Sequence, residues 1–313
     1  MAKILGIDTS NYTTSAALLD TESMTVRQSK KLLPVKVGEK GLRQSDAVFH
    51  HTVQLPERIS EVCKGETVDG IGVSVRPRMV EGSYMPCFLV GEGTADSIGS
   101  VLGIAPDKTS HQIGHILAAL YSCGRLELAI NPSEFIAFHV SGGTTDMLLC
   151  RSDSERVLDI TEIGHSLDLK AGQAIDRAGV MLGLPFPCGA ELEKLASQSA
   201  AEFKVRPVLK GLDCSLSGIE NKCRSMAESG SPAQEVAKFC IEAVYSAIRG
   251  MTAAAVDKYG DLPLIYAGGV MSNRYIADRL SSEFGGSFAA PEYSCDNAVG
   301  AAVFSAIRKG LIR

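Results

Sequence analysis

The chain has no apolar run approaching the ~20 residues that a bilayer crossing needs; runs such as ILGI at 4–7 and IYAGGVM at 265–271 are short. It has no CxxC pair either. Nine cysteines, an odd number scattered singly, argue against a disulfide framework or a zinc knuckle and for reduced thiols in a cytoplasm. The opening MAKILGIDTS carries one lysine and no sustained apolar segment, so no signal peptide is expected. Positive charge is scarce: 31 Lys and Arg face 36 Asp and Glu, for a net charge of −5. A broad nucleic-acid surface is thereby disfavoured, and any RNA contact has to run through a local patch or a partner. The one basic cluster, RQSKKLLPVKVGEKGLR at 27–43, reads as a solvated loop. No low-complexity segment or long linker interrupts the chain.

What is present suits a packed soluble protein. Hydrophobic residues make up 45% and charged residues 21% of 313 residues, a length that suits two lobes of about 150 residues each. The segment KILGIDTSNYTTSAALLD reads as a strand, a polar turn and a returning strand, and EFIAFHVSGGTTDMLLC at 134–150 has the same layout. Each places a Thr-Thr pair, Thr13-Thr14 or Thr144-Thr145, where the second strand starts. This weak repeat is what two lobes grown from one duplicated unit leave behind. Strands alternate with helices elsewhere, so the expectation is an α/β protein with a mixed sheet in each lobe. The lobes are expected at 1–128 and 129–313, with the last helix packing back toward the first.

Candidate chemistry clusters in a few stretches. HQIGHILAAL at 111–120 sets His111 and His115 four apart, on one face of a helix, where both can point at a single ion. Six histidines in the chain make a chance pair common enough that spacing alone does not decide. A zincin needs Glu directly after the first histidine as general base, and here that residue is Gln112, which excludes metalloprotease chemistry. Two imidazoles need a third ligand; Asp296, in YSCDNAVGAA, is either that ligand or the N-cap of an alanine-rich helix. Gly142 and Gly143, flanked by Ser141 and Thr144, make either a plain hairpin turn or a backbone nest for phosphate. Gly268 and Gly269 lead from a strand into a helix beginning near Ser272, a favourable approach for a polar ligand edge. That turn is neither GxGxxG nor GxxxxGK[ST], so neither a Rossmann dinucleotide site nor a P-loop is indicated. Asp176 and Glu193 are either solvated helix carboxylates or partners for the paired hydroxyls of a ribose.

ILGIDTS, the HxxxH pair, VSGGTT, AIDRAGVMLGLPFPCGAELEKLA, SLSGIENK, YAGGVMSN and CDNA occur in the order and rough spacing of one family. The chain resembles the TsaD family, the tRNA threonylcarbamoyladenosine transferases formerly described as O-sialoglycoprotein endopeptidases, from the first strand to the last helix. The resemblance implies two ribonuclease-H-like lobes of the actin and sugar-kinase superfamily with a nucleotide and metal cleft between them. It implies one divalent metal, iron or zinc, on His111, His115 and Asp296. It implies an adenine nucleotide or acyl-adenylate (ATP, AMP or threonylcarbamoyl-AMP) held by Val140, Ser141, Gly142, Gly143, Thr144, Asp176, Gly189, Glu193, Gly268, Gly269 and Asn273. Threonylcarbamoyl would move from its adenylate to the exocyclic nitrogen of a tRNA adenosine, with partner proteins assisting and a related-fold subunit or a second copy alongside. Asp8 and Ser141 are the candidates for a catalytic part, although direct attack by the adenine amine needs positioning more than a nucleophile.

The chain also departs from that pattern. Asn11, Tyr12 and Thr13 stand where the family has Cys-Asp-Glu, Ile113 where an acid is common, Thr144 where a histidine is common, and Arg76-Pro77-Arg78 where the family has a Gly-Pro-Gly loop. These changes suit a divergent paralogue. The alternatives are a small-molecule carbamoyltransferase, an ATPase, or a nucleotide-binding scaffold on the same fold.

Overall fold

A computed structural model describes residues 2–10, 12–34 and 42–312. Asn11 and part of the basic cluster, 35–41, lie outside the described residues. The elements run β1 (Lys3–Asp8), β2 (Thr13–Asp20), β3 (Thr25–Leu32), α1 (Gln44–Cys63), β4 (Gly70–Arg76), α2 (Phe88–Leu102), β5 (Asp107–Ser110), α3 (His111–Ser122) and α4 (Glu127–Ile130). They continue with β6 (Glu134–Val140), β7 (Thr145–Asp153), β8 (Val157–His165), α5 (Ala171–Met181), α6 (Gly189–Ala196), β9 (Val208–Lys210), β10 (Asp213–Ser215) and α7 (Ser217–Glu228). The last are α8 (Ala233–Tyr259), β11 (Leu264–Ala267), a 3₁₀ turn at Gly269–Ser272, α9 (Arg274–Phe284), β12 (Ser287–Phe288), a second 3₁₀ turn at Pro291–Tyr293, and α10 (Val299–Arg308).

Contact density divides the chain into two compact units. The first holds Met1–Ser133, Arg151–Asp159 and Cys295–Arg313; the second holds Glu134–Cys150 and Ile160–Ser294. The first crossing thus comes after Ser133, where the sequence suggested 128, and α10 belongs to the first unit. The first unit's sheet has the order β3-β2-β1-β4-β5, with β1 antiparallel to β2 and parallel to β4. The other five-stranded sheet has the order β12-β11-β6-β7-β8. Counted from the first strand of each, both follow the same path, 3-2-1-4-5, which is the duplication that the paired Thr-Thr turns suggested.

Alternation explains the strands that the sequence reading did not identify. RQSKK lies in β3, an antiparallel edge strand on β2, rather than in a loop; Ser29, bonded to Arg58 and Glu61 of α1, is the one buried residue of β3, and an edge strand whose buried position is polar carries no apolar period. In the first unit Leu5, Ile7, Leu18, Ile71 and Val73 build a core closed by Leu55, Val62 and Ala95 from the helices. The second unit is built around α8, whose Val236, Ile241, Val244, Ile248 and Met251 are buried. By length and composition alone α8 could cross a membrane, with a mean hydropathy of 1.2, but 67% of that window is buried inside the protein. Tyr266 stacks between Phe138 at 5.1 Å and Phe288 at 4.6 Å.

Two local features set the stage for the site. β5 runs straight into α3, and Ser110 caps that helix by accepting the Ile113 N–H at 3.2 Å. α10 then packs on α3 at backbone contact distance, because a Cβ on Gly300 would stand 1.8 Å from the carbonyl oxygen of Gly114. Gly300→Ala is therefore expected to lower unfolding free energy by about 1–3 kcal/mol, read by chemical denaturation. Gly93→Ala, on an exposed face with nothing within reach of the new methyl, should be neutral or stabilising by up to about 1 kcal/mol.

Candidate functional site

Two sets of candidate residues assemble, one inside each unit. In the first, His111 and His115 open α3, and Asp296 lies just before α10. The two imidazole Nε2 atoms are 2.8 Å apart, and Asp296 Oδ1 lies 3.5 Å from that of His111 and 3.3 Å from that of His115. All three ligand atoms fall within 4.8 Å of one another. The helix-cap alternative for Asp296 does not hold: Asn297 Oδ1 accepts the Val299 N–H at 3.0 Å, which leaves the Asp296 carboxylate to the histidines. Asp8, at the end of β1, has its Oδ2 2.9 Å from His111 Nδ1 and accepts the Ser10 N–H at 2.8 Å.

This is an electrostatic setting made for a cation. Burial disfavours a charged His111, yet the Asp8 and Asp296 carboxylates outweigh it and push the pKa up to about 10. Burial also works against the Asp296 carboxylate, but hydrogen bonding and charge from His111 and His115 hold it well below the usual range. A site that keeps two carboxylates ionised around two imidazoles takes either protons or a metal ion. Two nitrogens and a carboxylate oxygen fit a divalent ion, and zinc and ferrous iron suit the set alike.

The remaining first-unit positions surround this group in sequence. Thr13 is buried at the start of β2, and the Tyr12 carbonyl accepts the Leu33 N–H. Ile113 is buried, so it packs where the family has an acid. Arg76 and Arg78 are exposed, and Pro77 between them accepts the Gln112 N–H at 3.0 Å, tying that loop to the first turn of α3.

In the second unit a cavity of about 340 Å³ is lined by Gly142, Asp176, Gly189, Glu193, Gly269 and Asn273 from the sequence-derived set. Val140, Ser141, Gly143, Thr144 and Gly268 do not line it. Ser141 instead shapes the turn: its hydroxyl accepts the Gly143 and Thr144 N–H groups, and its carbonyl accepts the N–H of Gly172 on α5. Gly268 supports it from behind. With φ at +101° and Val140 O only 2.2 Å from where a Cβ would sit, no other residue fits there. Gly172, Ile175, Pro187, Ala190, Ile241, Val270 and Ser272 complete the walls. Sequence reasoning missed these; the only signal available was the spacing of Gly172, Ile175 and Asp176, which share one face of α5.

The polar lining groups also hold the backbone around the cavity. Asp176 Oδ1 accepts the Cys188 N–H at 2.8 Å, Glu193 Oε1 accepts the Arg274 N–H at 2.8 Å, and Asn273 Oδ1 caps α9 at the Ile276 N–H. They are neither freely solvated carboxylates nor dedicated ligand groups. Each fixes the loop it borders and keeps its remaining polar capacity.

A family model described as TsaD, tRNA N6-adenosine threonylcarbamoyltransferase, matches residues 39–303. The chain is 27% identical over 284 residues to the probable bifunctional tRNA threonylcarbamoyladenosine biosynthesis protein of Thermoplasma acidophilum, covering 89% of this chain and 50% of that one. It is 28% identical over 296 residues to the tRNA N6-adenosine threonylcarbamoyltransferase of Aromatoleum aromaticum, covering 90% and 82%. The chain thus spans about half the length of the bifunctional Thermoplasma relatives. Among solved structures, a ROK family glucokinase from Streptomyces griseus in complex with glucose and AMPPNP aligns at a TM-score of 0.52 and 13% identity, over 97% of this chain and 99% of that one. That likeness shows the actin and sugar-kinase type of fold.

The bonding of Asp176 separates its two roles experimentally. Asp176→Ala orphans the N–H of the buried Cys188 and should cost about 1–3 kcal/mol of stability. Asp176→Asn keeps the acceptor oxygen and should leave stability within about 0.5 kcal/mol, as measured by denaturant titration.

Proposed function

The chain belongs to the TsaD family of tRNA N6-adenosine threonylcarbamoyltransferases, and from that premise we propose that it moves a threonylcarbamoyl group from its adenylate to N6 of a tRNA adenosine. The observation that carries the reading is the convergence of Asp296 on the His111–His115 pair, since a residue so far along the chain has no local reason to meet them. The adenylate is assigned to the cavity of the second unit, whose size falls within the ordinary range for small-molecule sites and whose apolar walls Ile175, Ile241 and Val270 suit a base.

In this reading the amine of the acceptor adenine attacks the carbamoyl carbon, the bond from that carbon to the adenylate oxygen breaks, and AMP leaves as the amine gives up a proton. His111, His115 and Asp296 would hold a divalent ion, and the chemistry it would supply when bound is electrophilic activation. The chain's own residues orient: Gly142 brings the SGG turn to the cavity wall on the phosphate side, and Asp176, Glu193 and Asn273 hold the walls against the sugar and base. The acidic net charge favours tRNA contact assisted by a partner, either a related-fold subunit or a second copy. Nine free cysteines support a cytoplasmic setting.

A second reading has specific support. Arg76 and Arg78 are exposed on a loop bonded to the first turn of α3, and Thr13 and Thr144 replace an acid and a histidine of the family pattern. These side chains favour a paralogue that keeps the ion and the nucleotide and takes a different carbamoyl acceptor, with an ATPase or a nucleotide-binding scaffold as the limiting cases.

Purified protein combined with tRNA and the donor-making and partner proteins is expected to yield N6-threonylcarbamoyladenosine on nucleoside mass spectrometry. No product from a protein that still binds adenine nucleotides would move the assignment to the second reading. AMP or ATP should give a larger thermal shift than guanosine or cytidine nucleotides. Metal analysis should find one divalent ion per chain, lost in the His111→Ala/His115→Ala double variant; unchanged content in that variant would refute the ligand set.

A further inference from the structure

The sequence marks Asp8 as a candidate catalytic group, and its surroundings give it another part. It closes β1, where it pairs with Ser15 of β2, one residue past the last pairing of β1 with β4 at Ile7. Its carboxylate is 1% exposed, which leaves no open face for a reacting atom. Both oxygens are engaged: Oδ1 accepts the Ser10 N–H at 2.8 Å, and Oδ2 meets His111 Nδ1 at 2.9 Å. Burying a carboxylate is costly unless hydrogen bonds compensate, and here the compensation includes one ring nitrogen of a single histidine.

The other nitrogen of that ring is the one that faces the trio. His111 Nε2 lies 2.8 Å from His115 Nε2 and 3.5 Å from Asp296 Oδ1. An imidazole binds a cation through an unprotonated nitrogen, and an acceptor on the opposite nitrogen decides which one that is. A His111 ring free to rotate, or to carry its proton on Nε2, would present no lone pair to the site.

We propose that Asp8 is a positioning residue, which holds the Nδ1 proton of His111 and so presents Nε2 to a divalent cation shared with His115 and Asp296. The inference rests on reading the trio as a metal site and adds the group that selects its tautomer and ring orientation.

The test uses the full chain, stripped of metal and titrated with zinc in competition with a chromophoric chelator. Wild type is expected to bind one zinc, and Asp8→Asn to bind it about 10–100-fold more weakly. In a His111→Ala background, Asp8→Asn should weaken binding no further, because its effect passes through that ring. Equal affinity in wild type and Asp8→Asn would overturn the proposal, and so would an equal loss in the His111→Ala background, which would mark a purely structural role. Should Asp8→Asn fail to fold, the zinc-loaded wild type still decides: ¹⁵N histidine spectra are expected to show His111 coordinated through Nε2 with Nδ1 protonated, and coordination through Nδ1 would refute it. Wild type that binds no zinc overturns the metal reading and this inference together; wild type that binds zinc, with Asp8→Asn unchanged, overturns this inference alone.

Discussion

The contact between α3 and α10 is the constraint on which the first site depends. A helix that lies with its backbone against another's needs a position without a side chain at the crossing, and Gly300 supplies it over the Gly114 carbonyl. Gly114 stands between the two histidines, so the same crossing that packs the unit also sets the segment before α10 at the head of α3. Asp296 reaches His111 and His115 for that reason, and Asn297 takes over the capping duty that would otherwise have occupied the carboxylate. Packing, capping and ligand placement are here one arrangement.

Charge then follows from position. Within the trio His111 and Asp296 shift one another: the Asp8 and Asp296 carboxylates raise the pKa of His111, and hydrogen bonding and charge from His111 and His115 hold the Asp296 carboxyl well below the usual range. Such mutual dependence is costly to maintain in a core for structural purposes alone, and it is the usual signature of a site that exchanges protons for a ligand. The second unit uses a different economy of parts. Asp176, Glu193 and Asn273 each tie down a backbone N–H beside the cavity, so the groups facing a ligand are the groups that keep the cavity open.

The trio, the SGG turn and the AGGV turn are retained and structurally integrated. Of the changed residues, Thr144 closes the SGG turn with its N–H on the Ser141 hydroxyl and Ile113 stands between the two histidines of α3, while Thr13 and the Arg76-Pro77-Arg78 loop belong to other segments of the first unit. Ile113 is absorbed into packing and the two arginines are turned to solvent.

Residue spacing by itself determined a good deal: the α/β class, the paired strand-turn-strand openings, the helix that stacks His111 over His115, and the exclusion of a zincin by Gln112. These are legible because helical and strand periods are local and because a missing general base needs no fold to be noticed. The edge strand β3 was not legible, since its one buried residue is the polar Ser29; the helix α7 was missed although Ile219, Cys223 and Met226 recur there at helical spacing. Tertiary structure alone decided which of two roles Asp296 plays, that Asp8 meets His111 across the sheet, that Val140 and Gly268 support the cavity without lining it, and that apolar residues of α5 and α8 form its walls. The physical reason is the same in each case. Those relations depend on which backbone surfaces can touch, and that is settled by helix crossings and sheet order between segments far apart in the chain, on which local periodicity is silent.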